Sequence, residues 1–144
     1  MDRFIHFGGK ELNYQVIGQG APVMLVHGFG EDGRIWEYIT ASLSNHYRLI
    51  IPDLPGSGKS ECPDAPSLSM DDLATALKAI LDTEGHDSCT MIGHSMGGYI
   101  TLAFESLYPG LLNGLGLFHS TADPDSMEKP VSYTHLTLPT ILRV

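Results

Sequence analysis

The run Gly93-His94-Ser95-Met96-Gly97-Gly98 sets one hydroxyl among glycines in the pattern GxSxG. A serine so placed can attack a carbonyl if it stands at a turn between a strand and a helix. A hydroxyl at its ordinary pKa is a poor nucleophile, so the chemistry needs a base to take its proton and donors to hold the oxyanion that forms. Glycines two residues before and after Ser95 suit a strained turn, because neighbouring backbone must pass without a side-chain clash. One donor is expected to be the backbone N–H of Met96, at the start of a helix whose dipole favours negative charge. The second is expected from the loop His27-Gly28-Phe29-Gly30, with Phe29 supplying the N–H, since flanking glycines leave room for a substrate carbonyl.

Other residues invite chemistry without carrying it. The string Gly56-Ser57-Gly58-Lys59-Ser60 contains GKS, but a phosphate loop needs a glycine where Asp53 stands, and no helix signal begins at Ser60. Nucleotide binding is set aside on that spacing. Trp36 and Tyr38, on the first helix, are expected to fill the core, with the lining of a substrate pocket as the alternative. Cys89, in a short apolar run, is expected to be an inert core thiol. Met96 matters through its backbone, and its side chain is a weaker candidate for a pocket wall.

Positioning these residues requires strands that end at each loop. Segments 4–7 and 12–17 flank Gly8-Gly9 and read as a hairpin. Segment 22–26 is a nearly continuous apolar run, as a strand covered on both faces requires, and it stops at the His27-Gly28 loop. Ile35, Ile39 and Leu43 recur at helical spacing over 34–43, and 47–51 supplies another buried strand ended by Pro52. Residues 53–66 are a loop rich in Gly, Pro and Ser. Ser69 caps a helix with the face Leu73, Ala76, Leu77, Ile80 and Leu81, and Asp71 and Asp72 lie in its first turn. A strand over 89–92, a tight corner over 93–98, a helix over 99–108 stopped by Pro109-Gly110, and a strand over 115–118 complete the pattern. Strands alternating with helices after an initial hairpin define an α/β class with a mostly parallel sheet, right-handed crossovers and helices on both faces.

A chain of 144 residues, 42% hydrophobic, suffices for one domain with a real core. Its 17 acidic against 8 basic residues give a net charge of -9, which disfavours binding to a phosphate backbone and excludes nucleic acid as a partner. Cys62 and Cys89 lack the close spacing of a metal or redox site, which suits a reducing compartment. Residues 1–10 lack the apolar run of a signal peptide, and no stretch of the chain is apolar for a membrane span's length. A cytoplasmic protein with no membrane partner is expected.

Three segments occur in order: His27-Gly28-Phe29-Gly30, then Asp53-Leu54-Pro55-Gly56-Ser57-Gly58-Lys59-Ser60 in the pattern DxxGxGxS, then Gly93-His94-Ser95-Met96-Gly97-Gly98. Together they resemble the α/β-hydrolase fold superfamily, in the serine-nucleophile branch with an HG oxyanion loop and a GHSMGG turn. The resemblance runs from about the first strand to Ser120. It implies a doubly wound sheet, Ser95 as nucleophile, and Phe29 and Met96 as oxyanion-hole donors. It further implies a small-molecule substrate, no cofactor and no metal, and hydrolysis of a carboxylic ester, thioester, amide or lactone through an acyl-enzyme. In this family the residue at His94 points away from the nucleophile, so it reads as a packing residue. A lyase or carbon–carbon bond hydrolase of the same fold is the alternative enzyme, and an inert fragment or binding module is the non-catalytic one.

A triad in this family follows the order serine, acid, histidine, with the acid after a later strand and the histidine after the last. Both are expected beyond this chain, so residues 1–129 read as the incomplete N-terminal half of the fold. Asp123, Asp125 and His135 keep the order on paper, but the short interval between them leaves no room for the remaining elements. Asp123 or Asp125 is a better candidate as the acid alone. The run Val131-Ser132-Tyr133-Thr134-His135-Leu136-Thr137-Leu138-Pro139-Thr140 resembles the translation of a transposon adaptor used in sequencing libraries. Residues 130–144 are therefore read as a non-native tail, with a genuine strand over 136–142 as the alternative. On that reading the strand at 115–118 is an unpaired edge, and the isolated chain is expected to be poorly stable with little esterase activity. Native coding sequence is expected to stop near Pro130. Reading the source gene across that codon checks this, and uninterrupted native sequence through Val144 overturns it.

Overall fold

Residues 1–119 and 141–143 are described by the computed structural model of the chain, and their strands form one seven-stranded sheet in the order β1-β2-β4-β3-β5-β6-β7. The hairpin strands β1 (Asp2–Phe7) and β2 (Lys10–Ile17) are antiparallel, and both turn glycines between them have positive φ. β2 also pairs antiparallel with β4 (Tyr47–Pro52). From there β3 (Ala21–Val26), β4, β5 (Cys89–His94), β6 (Leu112–Phe118) and β7 (Ile141–Arg143) are mutually parallel. The chain leaves β3 for its neighbour β4 on one side, then crosses back to β5 on the other. Strand order therefore reverses between β3 and β5, and the carboxyl ends of two such strands are where open α/β sheets hold ligands.

Alternation along the central strands supplies two cores, one for each face. Val23, Leu25, Leu49 and Ile51 point to one face and pack with Trp36, backed by Ile35, Ile39 and Leu43. That face is covered by a short 3-10 turn (Gly33–Trp36) and by α1 (Glu37–Leu43). Met24, Val26, Ile50 and Met91 point the other way, against α2 (Met70–Thr83) and α3 (Met96–Leu107). The apolar stripe of α2 is Leu73, Ala76, Leu77, Ile80 and Leu81, all buried, and Ser69 caps its start in a reciprocal box with Asp72. Burial alone pushes the Cys89 thiol up to about 12, as befits a core cysteine. Among the described residues no helix is long and apolar enough to cross a membrane.

Several details depart from the reading of the sequence. The first helix opens as a 3-10 turn because Asp32 accepts the Arg34 N–H at 2.9 Å and Asp53 takes the Gly33 N–H at 2.8 Å, fixing the chain before α1 starts. Trp36 is buried, but Tyr38 is 77% exposed, so only the first of these aromatics is a core residue. β5 runs on to His94 and α3 starts at Met96, so the corner narrows from residues 93–98 to Ser95 alone. β6 is longer than expected, and it is not an open edge: Leu115, Gly116 and Leu117 pair with Ile141, Leu142 and Arg143. The large exposed apolar side chains among the described residues are Met1, Phe4, Phe29, Tyr38, Tyr47 and Leu107, which are scattered along the chain.

The hairpin is fastened to the end of α2 by one carboxylate. Glu84, with its side chain 3% exposed, accepts from Arg3 at 2.8 and 2.9 Å, from Arg48 at 3.1 Å and from the Tyr14 hydroxyl at 2.7 Å. Burial opposes its ionisation, but hydrogen bonds from Tyr14, Arg3 and Arg48 outweigh that and hold the carboxyl below the ordinary glutamate range. Desolvation and the same bond push the Tyr14 hydroxyl up to about 12. Because the folded value of Glu84 is depressed, its contribution to stability is fully present above the unfolded value of about 4.3 and is lost as pH falls through the folded value. Glu84→Ala strands two guanidinium groups and is expected to cost about 3 kcal/mol. Glu84→Gln is expected to flatten the acid limb of stability below about pH 5. Urea unfolding of each variant across that pH range checks both, and an unchanged acid limb in Glu84→Gln overturns the assignment.

Candidate functional site

Ser95 sits where β5 becomes α3, with φ 54° and ψ -117°. A side chain rarely occupies that backbone region, and holding one there costs on the order of 1–3 kcal/mol. The corner is pinned on both sides of the serine. Its N–H donates to the Phe118 carbonyl at the end of β6 at 3.0 Å, and its own carbonyl accepts from the Gly98 N–H at 2.9 Å. A Cβ on Gly97 would run into the Val26 carbonyl and stand 2.7 Å from the His27 carbonyl. Only glycine lets the first turn of α3 press onto the end of β3, and this approach brings Ser95 beside the loop that starts at His27.

That loop is held by a buried histidine. The Leu54 N–H donates to His27 Nε2 at 3.0 Å, so Nδ1 is the nitrogen that carries the proton, and it lies 2.8 Å from the Gly28 carbonyl. A trans peptide points its C=O and N–H in opposite directions, and no cis bond occurs among the described residues. Anchoring the Gly28 carbonyl on His27 therefore also fixes the direction of the Phe29 N–H. The parallel pairing of Val26 with Gly93 sets the two strand ends level, so positions 29 and 96 each follow three residues beyond one register pair. The Phe29 side chain is 87% exposed.

Glu31 links the two strand ends. Its Oε1 accepts the Gly28 N–H at 2.7 Å and lies 2.8 Å from His94 Nδ1. His94 does pack, with its ring 5.6 Å from Phe118, 5.8 Å from His119 and 6.4 Å from Trp36, but it also makes this hydrogen bond. The DxxGxGxS segment is scaffold. Asp53 accepts from the Gly33 N–H at 2.8 Å and from the Lys59 N–H at 2.9 Å, while the Ser60 hydroxyl accepts from the Asn13 N–H and donates to the Asp53 carbonyl. Lys59 Nζ pairs with Asp2 at 2.7 Å and so is engaged away from any phosphate loop. A polar cavity of about 400 Å³ lined by Asn13, Gln15, Asp32, Arg34, Asp53 and Lys59 does not include Ser95.

The fold thus places Ser95 and Met96 beside the loop that carries Phe29. Reading the sequence missed Glu31, His27 and Asp53 as parts of the frame. An acid directly after the glycine loop was a signal for Glu31, but its partner His94 lies 63 positions away, and only folding joins them. Among the described residues no histidine is hydrogen-bonded to the Ser95 hydroxyl, and no group of three His, Cys, Asp or Glu could hold a metal ion. Asp123, Asp125 and His135 lie outside the described residues, as does most of segment 130–144.

A sheet whose order reverses beside a strained serine between strand and helix defines the α/β-hydrolase class. The chain belongs to that family: the model for the alpha/beta hydrolase fold matches residues 21–139. The described residues build the N-terminal part of the fold. Among solved structures the chain is similar to a thermophilic esterase from Thermogutta terrifontis, at TM-score 0.80 and 34% identity over 89% of this chain and 48% of the esterase. It is 34% identical over 110 residues to 2-hydroxy-6-oxo-2,4-heptadienoate hydrolase of Pseudomonas putida, covering 74% of this chain and 40% of that protein. It is 35% identical over 107 residues to human epoxide hydrolase 4, covering 72% of this chain and 30% of that protein. The chain thus spans less than half the length of each of these relatives.

The backbone at position 95 makes a test independent of chemistry. Glycine tolerates φ 54° and alanine does not, so Ser95→Gly is expected to be more stable than Ser95→Ala by about 1 kcal/mol. Equal unfolding midpoints for the two variants would show that the corner is unstrained.

Proposed function

We propose that the parent protein is a serine hydrolase acting by acyl transfer on a carboxylic ester, thioester, amide or lactone, with Ser95 as nucleophile. The observation that carries the reading is the strained backbone of Ser95, at the start of α3 and at the point where strand order reverses. In the proposed step the Ser95 oxygen bonds to the substrate carbonyl carbon while its proton passes to a base. The carbonyl electrons move onto oxygen, and the N–H groups of Phe29 and Met96 hold that charge, helped by the dipole of α3. Collapse expels the alcohol, thiol or amine with a proton from the same base and leaves an acyl-enzyme, which water then hydrolyses.

His27 and His94 are unsuited as that base. Both nitrogens of His27 are engaged, and His94, whose Nδ1 bonds Glu31, makes no hydrogen bond to the Ser95 hydroxyl among the described residues. The base and the acid that orients it are assigned to sequence beyond this chain, and residues 1–129 then read as the incomplete N-terminal half of the core. A second reading keeps the same nucleophile but cleaves a carbon–carbon bond beside a ketone. The Pseudomonas putida relative, named as a 2-hydroxy-6-oxo-2,4-heptadienoate hydrolase, favours it.

In the chain extended with its native downstream sequence, a fluorophosphonate probe is expected to add covalently to Ser95 and to leave Ser95→Ala unmodified, read by intact mass and peptide mapping. Turnover of a nitrophenyl ester by the 144-residue chain is expected to be slow, and extension with the native downstream sequence is expected to raise it by a factor on the order of 1,000 or more. Adduct formation that persists in Ser95→Ala would sink the nucleophile assignment.

A further inference from the structure

We propose that Glu31 is a positioning residue of this site: one carboxylate oxygen ties the loop carrying the Phe29 N–H to the strand end carrying Ser95. Oε1 of Glu31 accepts from the Gly28 N–H at 2.7 Å and from His94 Nδ1 at 2.8 Å. The first partner belongs to the loop after β3, and the second is the last residue of β5, directly before Ser95. A carboxylate accepts and does not donate, so both bonds run toward the same negative oxygen.

The three parts meet around Gly28. A Cβ at that position would stand 2.8 Å from Glu31 Oε1, 2.9 Å from the His94 carbonyl and 3.1 Å from Ser95 Cβ. The side chains of Glu31 and His94 are only 26% and 22% exposed, so water competes less for this pair than for a surface ion pair. Trp36, Phe118 and His119 surround the His94 ring and keep it facing the carboxylate.

Both backbone groups of Gly28 are thereby fixed. His27 Nδ1 donates to its carbonyl at 2.8 Å, the Glu31 N–H donates to the same oxygen at 3.3 Å, and the Glu31 side chain holds its N–H. The peptide between Gly28 and Phe29 then has one orientation, and the Phe29 N–H points one way. Without the carboxylate, the Gly28 N–H loses its acceptor and the His94 ring loses its anchor, so the loop is free to drift from Ser95. A donor that meets charge only in the transition state acts on the chemical step and leaves the ground-state binding of the reagent unchanged. This kinetic consequence rests on the acyl-transfer reading, whereas the clamp itself does not.

Two measurements separate these claims, the first on the full 144-residue chain. Amide hydrogen exchange reads the clamp: in Glu31→Ala the Gly28 N–H is expected to exchange about tenfold faster, while core amides of β3 keep their protection. Glu31→Gln, whose amide oxygen can accept both bonds, is expected to restore most of that protection. The kinetics of Ser95 modification by a fluorophosphonate, measured on the chain extended with its native downstream sequence so that the base is present, read the positioning. The maximal rate is expected to fall by about 100-fold in Glu31→Ala with the half-saturating concentration unchanged, and to recover to within about threefold in Glu31→Gln. Unchanged Gly28 exchange in Glu31→Ala overturns the clamp. Faster exchange with an unchanged modification rate overturns the positioning role. No modification of the unsubstituted extended chain overturns the acyl-transfer reading and the positioning role with it, and the exchange result then decides the clamp alone.

Discussion

The first turn of α3 presses against the last peptides of β3, and there is no space between them for a single Cβ. This close approach is the constraint on which the site depends. Two parallel strands paired Val26 to Gly93 would in any case end side by side. Only glycine at position 97 lets the helix that follows one strand settle onto the end of the other. The helix N-terminus, the serine that starts it and the loop after β3 then share one small region at the sheet's carboxyl edge.

Such a corner is unfavourable by itself, and the rest of the chain offsets it. The backbone of Ser95 is held by bonds to Phe118 on one side and Gly98 on the other, so its neighbours over-determine its conformation. α3 is buried along most of its length, from Gly97 to Glu105, and α2 packs beside it on the same face of the sheet. At the remote edge, Glu84 gathers Arg3, Arg48 and Tyr14, which fastens the hairpin to the end of α2. Stability is thus concentrated away from the corner, and the strain sits at Ser95.

The frame around the site is polar and shared among distant segments. His27 binds the Leu54 N–H and the Gly28 carbonyl, Asp53 binds the Gly33 and Lys59 N–H groups, and Glu31 binds Gly28 and His94. Each of these side chains satisfies backbone donors or acceptors that a loop near the sheet edge would otherwise leave unpaired. This explains why the DxxGxGxS segment accompanies the serine corner although none of its side chains reaches it. Its aspartate holds the loop that holds the glycines.

Local patterns were legible in the amino-acid sequence wherever one segment decides its own conformation. Apolar runs marked β3, β4 and β5, the spacing of Leu73, Leu77, Ile80 and Leu81 marked α2, and glycines around Ser95 marked the turn. Boundaries were less legible. The 3-10 turn before α1 depends on Asp53 reaching Gly33, and the exposure of Tyr38 depends on which side of α1 meets the sheet. By itself the sequence determined the α/β class and the serine at the corner, because periodicity and turn chemistry act over a few residues, while the doubly wound order came only with the family resemblance. Only tertiary structure decided that Glu31 meets His94, that His27 aims the Phe29 peptide and that β6 has a partner. Those contacts join residues far apart in the chain, and no local preference records them.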